Sequence, residues 1–136
     1  MMADEERIII CGEEGIVAAR QLARTIAREH GFSLVDQSRI ATAVSELARN
    51  VVRYATNGQG DATIRTLGQD RGTGIEVVVH DDGPGIPDIS LALKDGFTSG
   101  SGLGMGLPGT RRLMDDFVIE SSADAGTTVT IRKWRR

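Results

Sequence analysis

The sequence predicts an α+β fold, a two-layer α/β sandwich in which helices cover one face of a mostly antiparallel sheet. Two segments, residues 15–30 and 33–55, carry apolar side chains at spacings of three and four, which is the period of an amphipathic helix. Several short β-branched runs are separated by glycine-containing turns, which is typical of hairpins. Because the strands follow one another instead of alternating with helices, the sheet is expected to be antiparallel.

The first half of the chain is predicted to contain one strand and the two long helices. Residues 7–11 include three consecutive isoleucines and fit a first strand. The first helix covers residues 15–30, and Gly31 is a natural C-terminal stop. Ser33 and Asp36 have the spacing of a capping box, so the second helix begins there. It is expected to end near residue 55, before an Asn-Gly pair.

The second half is predicted to form two hairpins with a short helix between them. A polar turn containing Gly72 and Gly74 joins the strands of the first hairpin. The short helix is expected to start near Gly104 and to run to about Asp115. The four strands are placed at residues 62–67, 75–80, 117–121 and 127–134.

Charge and length limit the classes of function. Sixteen basic and nineteen acidic side chains leave a net charge of -3, which argues against a nucleic-acid surface. The basic residues around Trp134 are therefore interpreted as a solvated strand end. The chain has 136 residues, which is enough for one domain over residues 1–136 with its own core. We expect a cytoplasmic protein, since we find no targeting segment and no apolar run of membrane-spanning length.

Cys11 is the only cysteine, so the chain cannot form an internal disulfide. We interpret it as a small buried apolar residue.

A glycine-rich segment at residues 97–107 precedes the short helix. Gly102, Gly104 and Gly106 lie where that helix begins, and glycine is unfavourable there unless something compensates. Bare backbone N–H groups at a helix N-terminus attract an anion, so the pattern indicates a phosphate site. We expect residues 94–103 to be poorly ordered without nucleotide and to close over the phosphates when ATP binds.

A second glycine turn follows the strand at residues 75–80. Asp81 places a carboxylate at the strand end, and Gly83 and Gly85 remove side chains that would block a ligand. The carboxylate could accept hydrogen bonds from an amino group on a flat heterocycle. The alternative is an ordinary Asp-Gly-Pro-Gly turn with no ligand.

Glu46 and Asn50 form a third polar feature, on the second helix. Four residues correspond to an angular offset of about 40°, so both side chains can point into one cleft. The alternative is an exposed pair at the margin of the apolar face.

In their order and spacing these three features resemble the sequence boxes of the GHKL ATP-binding superfamily, whose module has the Bergerat fold. Residues 46–50 (ELARN) are similar to its N box, residues 81–85 (DDGPG) to its G1 box and residues 102–106 (GLGMG) to its G2 box. Gly126 and Thr127 resemble its terminal Gly-Thr box. The resemblance covers nearly the whole chain. Within the superfamily it is strongest to the switch-protein serine/threonine kinases of bacterial partner-switching (stressosome-type) modules.

This resemblance implies ATP and Mg²⁺ as cofactors and a role for each residue of the boxes. Asn50 would ligate Mg²⁺, and Glu46 would act as general base or orient the acceptor. The other implied roles are adenine amino recognition by Asp81, support of that contact by Thr127, adenine-pocket shaping by Gly83 and Gly85, and phosphate binding by Gly102, Gly104 and Gly106.

The resemblance also implies a function. It is that of a protein serine/threonine kinase that phosphorylates a STAS-domain antagonist and, once released, activates a PP2C-type phosphatase. The alternative is an anti-sigma factor or another nucleotide-gated sequestering protein with weak or no kinase activity. A third interpretation, the ATPase part of a larger machine, is disfavoured because the chain has no transducer domain. No nucleic-acid or membrane partner is expected, and the oligomeric state stays open.

Overall fold

Three helices and a five-stranded antiparallel sheet form the part of the chain that this computed structural model describes, residues 5–69, 72–83, 103–122 and 125–135. A short 3₁₀ turn at Thr56–Gly58 follows the second helix. The elements in chain order are β1 (Glu5–Cys11), α1 (Gly12–Glu29), α2 (Leu34–Tyr54), β2 (Gln59–Gln69), β3 (Gly72–Asp81), α3 (Leu103–Leu113), β4 (Asp116–Ser122) and β5 (Gly126–Trp134).

The sheet has the strand order β1-β2-β3-β5-β4, and every neighbouring pair is antiparallel. Val79 in the central strand β3 is the register partner of Ala62 in β2 and of Val129 in β5. All three side chains are buried in one core with apolar residues of the helices. The helices therefore cover one face of the sheet, which confirms the predicted α+β architecture.

The helix boundaries follow from local chemistry. Ser33 is the N-cap of α2, and its hydroxyl accepts the backbone N–H of Asp36 at 3.1 Å, as the capping pattern predicted. Gly31 has φ of +83°, a left-handed conformation that ends α1 and that glycine adopts without steric cost. Helix α2 packs against both α1 and α3, so it lies in the middle of the helical layer.

Several element boundaries differ from the sequence prediction by one or more residues. Helix α1 begins at Gly12 instead of residue 15, and α3 ends at Leu113, two residues early. Gly74 belongs to β3 and not to the turn. A Cβ on Gly74 would stand 2.6 Å from Trp134 Cε3, so glycine is needed there because an indole ring lies directly on the backbone.

The prediction that Cys11 is buried was wrong, because its side chain is exposed. Ile10 faces the core, and since side chains alternate along a strand the next residue points outward. Gln59 Nε2 donates a hydrogen bond to Cys11 Sγ at 3.5 Å.

The interpretation of the C-terminal basic segment as a solvated strand end was also wrong for most of it. Lys133 and Trp134 are buried, at 6% and 9% exposure. Arg132 Nε donates to Glu76 Oε2 at 2.7 Å, while Arg65 Nη2 holds the other oxygen of that buried carboxylate at 2.6 Å. The segment is thus paired into the sheet and ties its three central strands together.

None of the helices in the part of the chain described above is long and apolar enough to span a membrane.

Candidate functional site

The candidate site lies where the central strands end beneath the C-terminus of α2. Asp81 is the last residue of β3, and its register partners are Gly60 in β2 and Thr127 in β5. It has the same parity along the strand as the buried Val77 and Val79. Because side chains alternate between faces, the Asp81 carboxylate lies on the helix-covered face of the sheet.

One carboxylate oxygen of Asp81 accepts a hydrogen bond from the described protein, and the other is available to a ligand. Oδ1 accepts the backbone N–H of Gly83 at 2.7 Å, whereas no residue of the described segments donates to Oδ2. Burial raises the pKa of this carboxyl above its ordinary value of 3.8. The Gly83 N–H and the nearby His80 lower the pKa of Asp81, and the neighbouring Asp82 raises it further.

Gly83 brings the strand end and α2 together. A Cβ at this position would lie 2.9 Å from Ala55 Cα, 2.9 Å from Asp81 Oδ1 and 3.0 Å from the Tyr54 carbonyl oxygen. Two of these atoms are backbone of the helix end and cannot move aside cheaply. Any side chain here would push Asp81 and α2 apart, so glycine is required for this close approach.

Helix α2 carries Glu46 and Asn50 toward the same region. They lie two turns and one turn before Tyr54, about 12 and 6 Å along the helix axis, and both are half-buried. Glu46 Oε2 accepts a hydrogen bond from Arg49 Nη1 at 2.8 Å. No hydrogen bond to the Asn50 amide comes from any residue that the structure describes, so its oxygen can take a ligand.

Thr127 stands beside Asp81 on β5. Its hydroxyl lies 2.8 Å from Ser121 Oγ, and Ser121 is its register partner on β4. Asp81, Thr127 and Ser121 therefore form a polar row across three strands on the helix-covered face. The row completes the edge of the site next to the carboxylate.

Sequence reasoning did not include Gly60 or Ser121 among the site residues, and it named Gly126 only as part of the Gly-Thr box. Gly126 has φ of +76°, and a Cβ there would collide with the Asp81 carbonyl oxygen and lie 2.8 Å from Asp82 Cα. A Cβ on Gly60 would lie 2.8 Å from Val51 Cγ1 of α2. The alternation of the last hairpin would have identified Ser121, whereas the two glycine contacts depend on pairing between distant strands.

The glycine-rich segment is described only in part. Gly104 and Gly106 lie in the first turn of α3, as predicted, and α3 packs against α2 through the buried Leu107. Gly85, Gly102 and residues 94–102 of the expected lid lie outside the described residues, so these predictions stand as made.

The donor set fits a purine nucleotide with a hard metal ion. Asp81 Oδ2 offers an ionisable acceptor, whereas the missing Cβ of Gly83 makes room for the end of α2 and not for a ligand. The Asn50 amide oxygen is the kind of ligand that Mg²⁺ takes alongside phosphate oxygens and water. The first turn of α3 presents backbone N–H groups, which suit phosphate.

Comparison with known proteins places these features in context. The histidine kinase-like ATPase domain model matches residues 13–133. The serine/threonine-protein kinase RsbT of Bacillus subtilis is 48% identical over 99% of this chain and 100% of its own length. An anti-sigma F factor of Bacillus licheniformis is 35% identical over 69% of this chain and 66% of its own.

Among solved structures, the mycobacterial sensor histidine kinase MprB superposes with a TM-score of 0.59 at 20% identity. The match covers 97% of this chain and 98% of that one. It shows the same fold at a low level of sequence identity.

Proposed function

The chain belongs to the histidine kinase-like ATPase domain family, and from this premise we propose that it is a protein serine/threonine kinase of a partner-switching module. The observation that carries the proposal is the Asp81–Gly83 pair beneath the end of the helix that bears Glu46 and Asn50. The full-length similarity to RsbT, whose name states a serine/threonine kinase, supports this function over other activities of the family.

In this proposal Asp81 selects the base of ATP. Oδ2 accepts a hydrogen bond from the exocyclic amino group of adenine while Oδ1 stays on the Gly83 N–H. Thr127 lies beside the carboxylate and supports that contact with its hydroxyl. Gly83, by holding the strand end against α2, and Gly85 shape the pocket for the ring.

Glu46 and Asn50 act at the phosphate end of the site. Asn50 supplies one oxygen ligand to Mg²⁺, and Gly102, Gly104 and Gly106 present backbone N–H groups to the phosphates. The acceptor hydroxyl forms the new bond to the γ-phosphorus as the bond to the β–γ bridging oxygen breaks, and Glu46 takes the hydroxyl proton. Arg49, at 2.8 Å from Glu46, orients that carboxylate.

The proposed acceptor is a serine or threonine of a STAS-domain antagonist. Phosphorylation adds about two negative charges to the docking surface. The added charge makes the two docking surfaces repel each other, so the phosphorylated complex dissociates. The released kinase then binds and activates a PP2C-type phosphatase.

A second candidate function is nucleotide-gated sequestration of a sigma factor. The similarity to anti-sigma F factors, 35% over about two-thirds of the chain, favours it. It uses the same nucleotide site, so the two functions differ in the protein that is captured and in whether phosphate is transferred.

The test is transfer of labelled γ-phosphate from ATP to a STAS-domain protein encoded beside this one. Wild-type protein should label one Ser or Thr stoichiometrically, Asp81→Asn should fail to bind ATP well, and Glu46→Gln should bind ATP but not transfer. Glu29→Gln, an exposed carboxylate at the end of α1, is the matched control and should transfer normally. ATP binding without any labelling, together with stable capture of a sigma factor, would favour the second candidate.

A further inference from the structure

An apolar groove opens at the end of the helical layer opposite the candidate nucleotide site. Leu34 and Val35, in the first turn of α2, are 74% and 58% exposed. Single exposed apolar residues are ordinary, but two large neighbours on the edge of a groove are not. The groove has a volume of about 390 Å³ and is lined by Leu34, Val35, Ser38, Arg39, Thr42 and Leu113.

A network of buried polar contacts around Lys133 joins the elements that line the groove. Lys133 is buried, and its Nζ donates to the Leu113 carbonyl oxygen at 2.9 Å while lying 3.9 Å from Asp36 Oδ1 and 3.8 Å from Asp115 Oδ1. This network joins the start of α2, the end of α3 and the end of β5. The network therefore fixes α2 and the end of α3, the two elements that line the groove, relative to β5.

Among the residues that the structure describes, the exposed charges that line or reach the groove are cationic, although the chain as a whole is acidic. Arg39 is half-exposed, and Arg24 of α1 reaches the rim by donating to Ser38 Oγ at 3.3 Å. Asp36, the carboxylate that pairs with Arg39, is buried. A partner that fits must therefore offer apolar side chains with carboxylates beside them.

The apolar end of the groove, at Leu34 and Val35, is distant from the proposed point of phosphate transfer, whereas Thr42 at its other end lies one turn, about 6 Å, before Glu46. Leu34 precedes Glu46 by twelve residues of one helix, about 18 Å along its axis. A phosphoacceptor has to place its hydroxyl at the γ-phosphate, whereas an activated partner has no such need. A second copy of this chain is a poor occupant, because a symmetric contact would bring the two sets of arginines together.

We propose that this groove is the docking surface for the PP2C-type phosphatase, the partner that the kinase binds without phosphorylating it. The phosphatase would insert apolar side chains that are flanked by carboxylates. The proposal rests on the proposed function and adds to it a location and a chemistry for the second partner. Val35 and Leu34 supply the apolar contact, and Arg39 and Arg24 supply the charge.

Val35→Glu is the decisive variant, with Val118→Glu as its matched control. Glutamate in the first turn of a helix is favourable, so Val35→Glu should fold. Val118 is an exposed valine on β4, at 48% exposure, and lies outside the groove. Val35→Lys removes the same apolar contact but keeps the positive charge. Thermal unfolding of all three variants checks that they are folded.

Two readouts are measured on each protein. The first is binding and stimulation of the PP2C-type phosphatase, and the second is phosphate transfer to the STAS-domain antagonist. Val35→Glu should weaken phosphatase binding by about tenfold or more, because it removes a central contact and repels carboxylates. Val35→Lys should lose less affinity, and Val118→Glu should stay within about twofold of wild type. Phosphate transfer should be unchanged in all three.

Each other result overturns the proposal. Phosphatase binding that survives in Val35→Glu would show that the groove is not the docking surface. Equal losses of phosphatase binding in Val35→Glu and Val35→Lys would show that the partner does not present carboxylates to the groove. Loss of phosphate transfer in Val35→Glu would show that the antagonist docks there instead. Failure of wild-type protein to transfer phosphate would instead refute the proposed function itself, which the other outcomes leave intact.

Discussion

The Gly83 backbone N–H donates to Asp81 Oδ1 at 2.7 Å, and the missing side chain of Gly83 is what lets the two residues meet under the end of α2. The hydrogen bond fixes the plane of the carboxylate and leaves Oδ2 directed away from it. A partly buried carboxylate with one oxygen already hydrogen-bonded and one oxygen available is suited to recognising a single amino group. The pair therefore links backbone geometry to ligand selection.

Asp81→Asn should lower ATP affinity by about tenfold to hundredfold, since a hydrogen bond to a charged group contributes about 1.5–3 kcal/mol. Asparagine can still accept from the Gly83 N–H, but its NH₂ group then faces the adenine amino group, and two donors meet. Isothermal titration calorimetry with Mg-ATP measures the loss. Asp82→Asn, at the exposed neighbouring carboxylate, should bind ATP nearly as wild type does. Equal losses in both variants would point to a general effect of charge.

Asp81→Asn should also make the nucleotide-free protein more stable at pH 7. Burial raises the pKa of Asp81 in the folded state above 3.8, so the folded protein keeps this proton to a higher pH than the unfolded chain does. The free energy of unfolding of the wild type therefore falls as pH rises from about 4 through the folded-state pKa of Asp81. Asparagine does not titrate, so the variant does not lose this stability. Urea unfolding at pH 7 and at pH 4.5 should show a gain that shrinks at the lower pH. A wild-type protein that is the more stable at pH 7 would contradict this.

Gly83→Ala should weaken both folding and ATP binding. The new methyl group would press on the backbone of Tyr54 and Ala55, and overpacking of this kind costs about 1–3 kcal/mol. Gly68→Ala is the matched control, because nothing lies within 4 Å of a Cβ there. Thermal unfolding and ATP titration of the two variants give the comparison. If Gly83→Ala bound ATP like Gly68→Ala, the close approach would have no part in the site.

Cys11 should react with a thiol reagent in the folded protein. Its side chain is exposed at the end of β1, so modification needs no unfolding. Titration with a chromogenic disulfide at neutral pH should give one fast equivalent, with and without denaturant, and Cys11→Ser should give none. A reaction that occurs only in denaturant would restore the original interpretation of a buried thiol.

Local patterns account for most of the secondary structure. Ser33 with Asp36 predicted where α2 begins, and Gly31 predicted where α1 ends, because capping and left-handed φ are properties of a few adjacent residues. Alternation and helical periodicity then identified which faces are apolar. The two errors of burial, at Cys11 and around Lys133 and Trp134, arose because composition was given more weight than the position of each residue in its strand.

The individual residues of the candidate site were also named from sequence, since Glu46, Asn50, Asp81, Gly83 and Thr127 lie in boxes with a fixed order and spacing. Their arrangement in space could not be predicted from the sequence. That Asp81 stands beside Thr127 follows from the register of β3 with β5, which pairs residues far apart in the chain.

The sequence by itself determined the fold class, the caps and the residue types available for chemistry, because these depend on periodicity and on neighbours along the chain. Only the tertiary structure decided that Gly83 must lack a side chain to meet Tyr54, that Gly74 must lie under Trp134, and that Leu34 and Val35 stay uncovered. These facts depend on close packing between elements distant in sequence. Packing of that kind is set by three-dimensional distances, which no local pattern encodes.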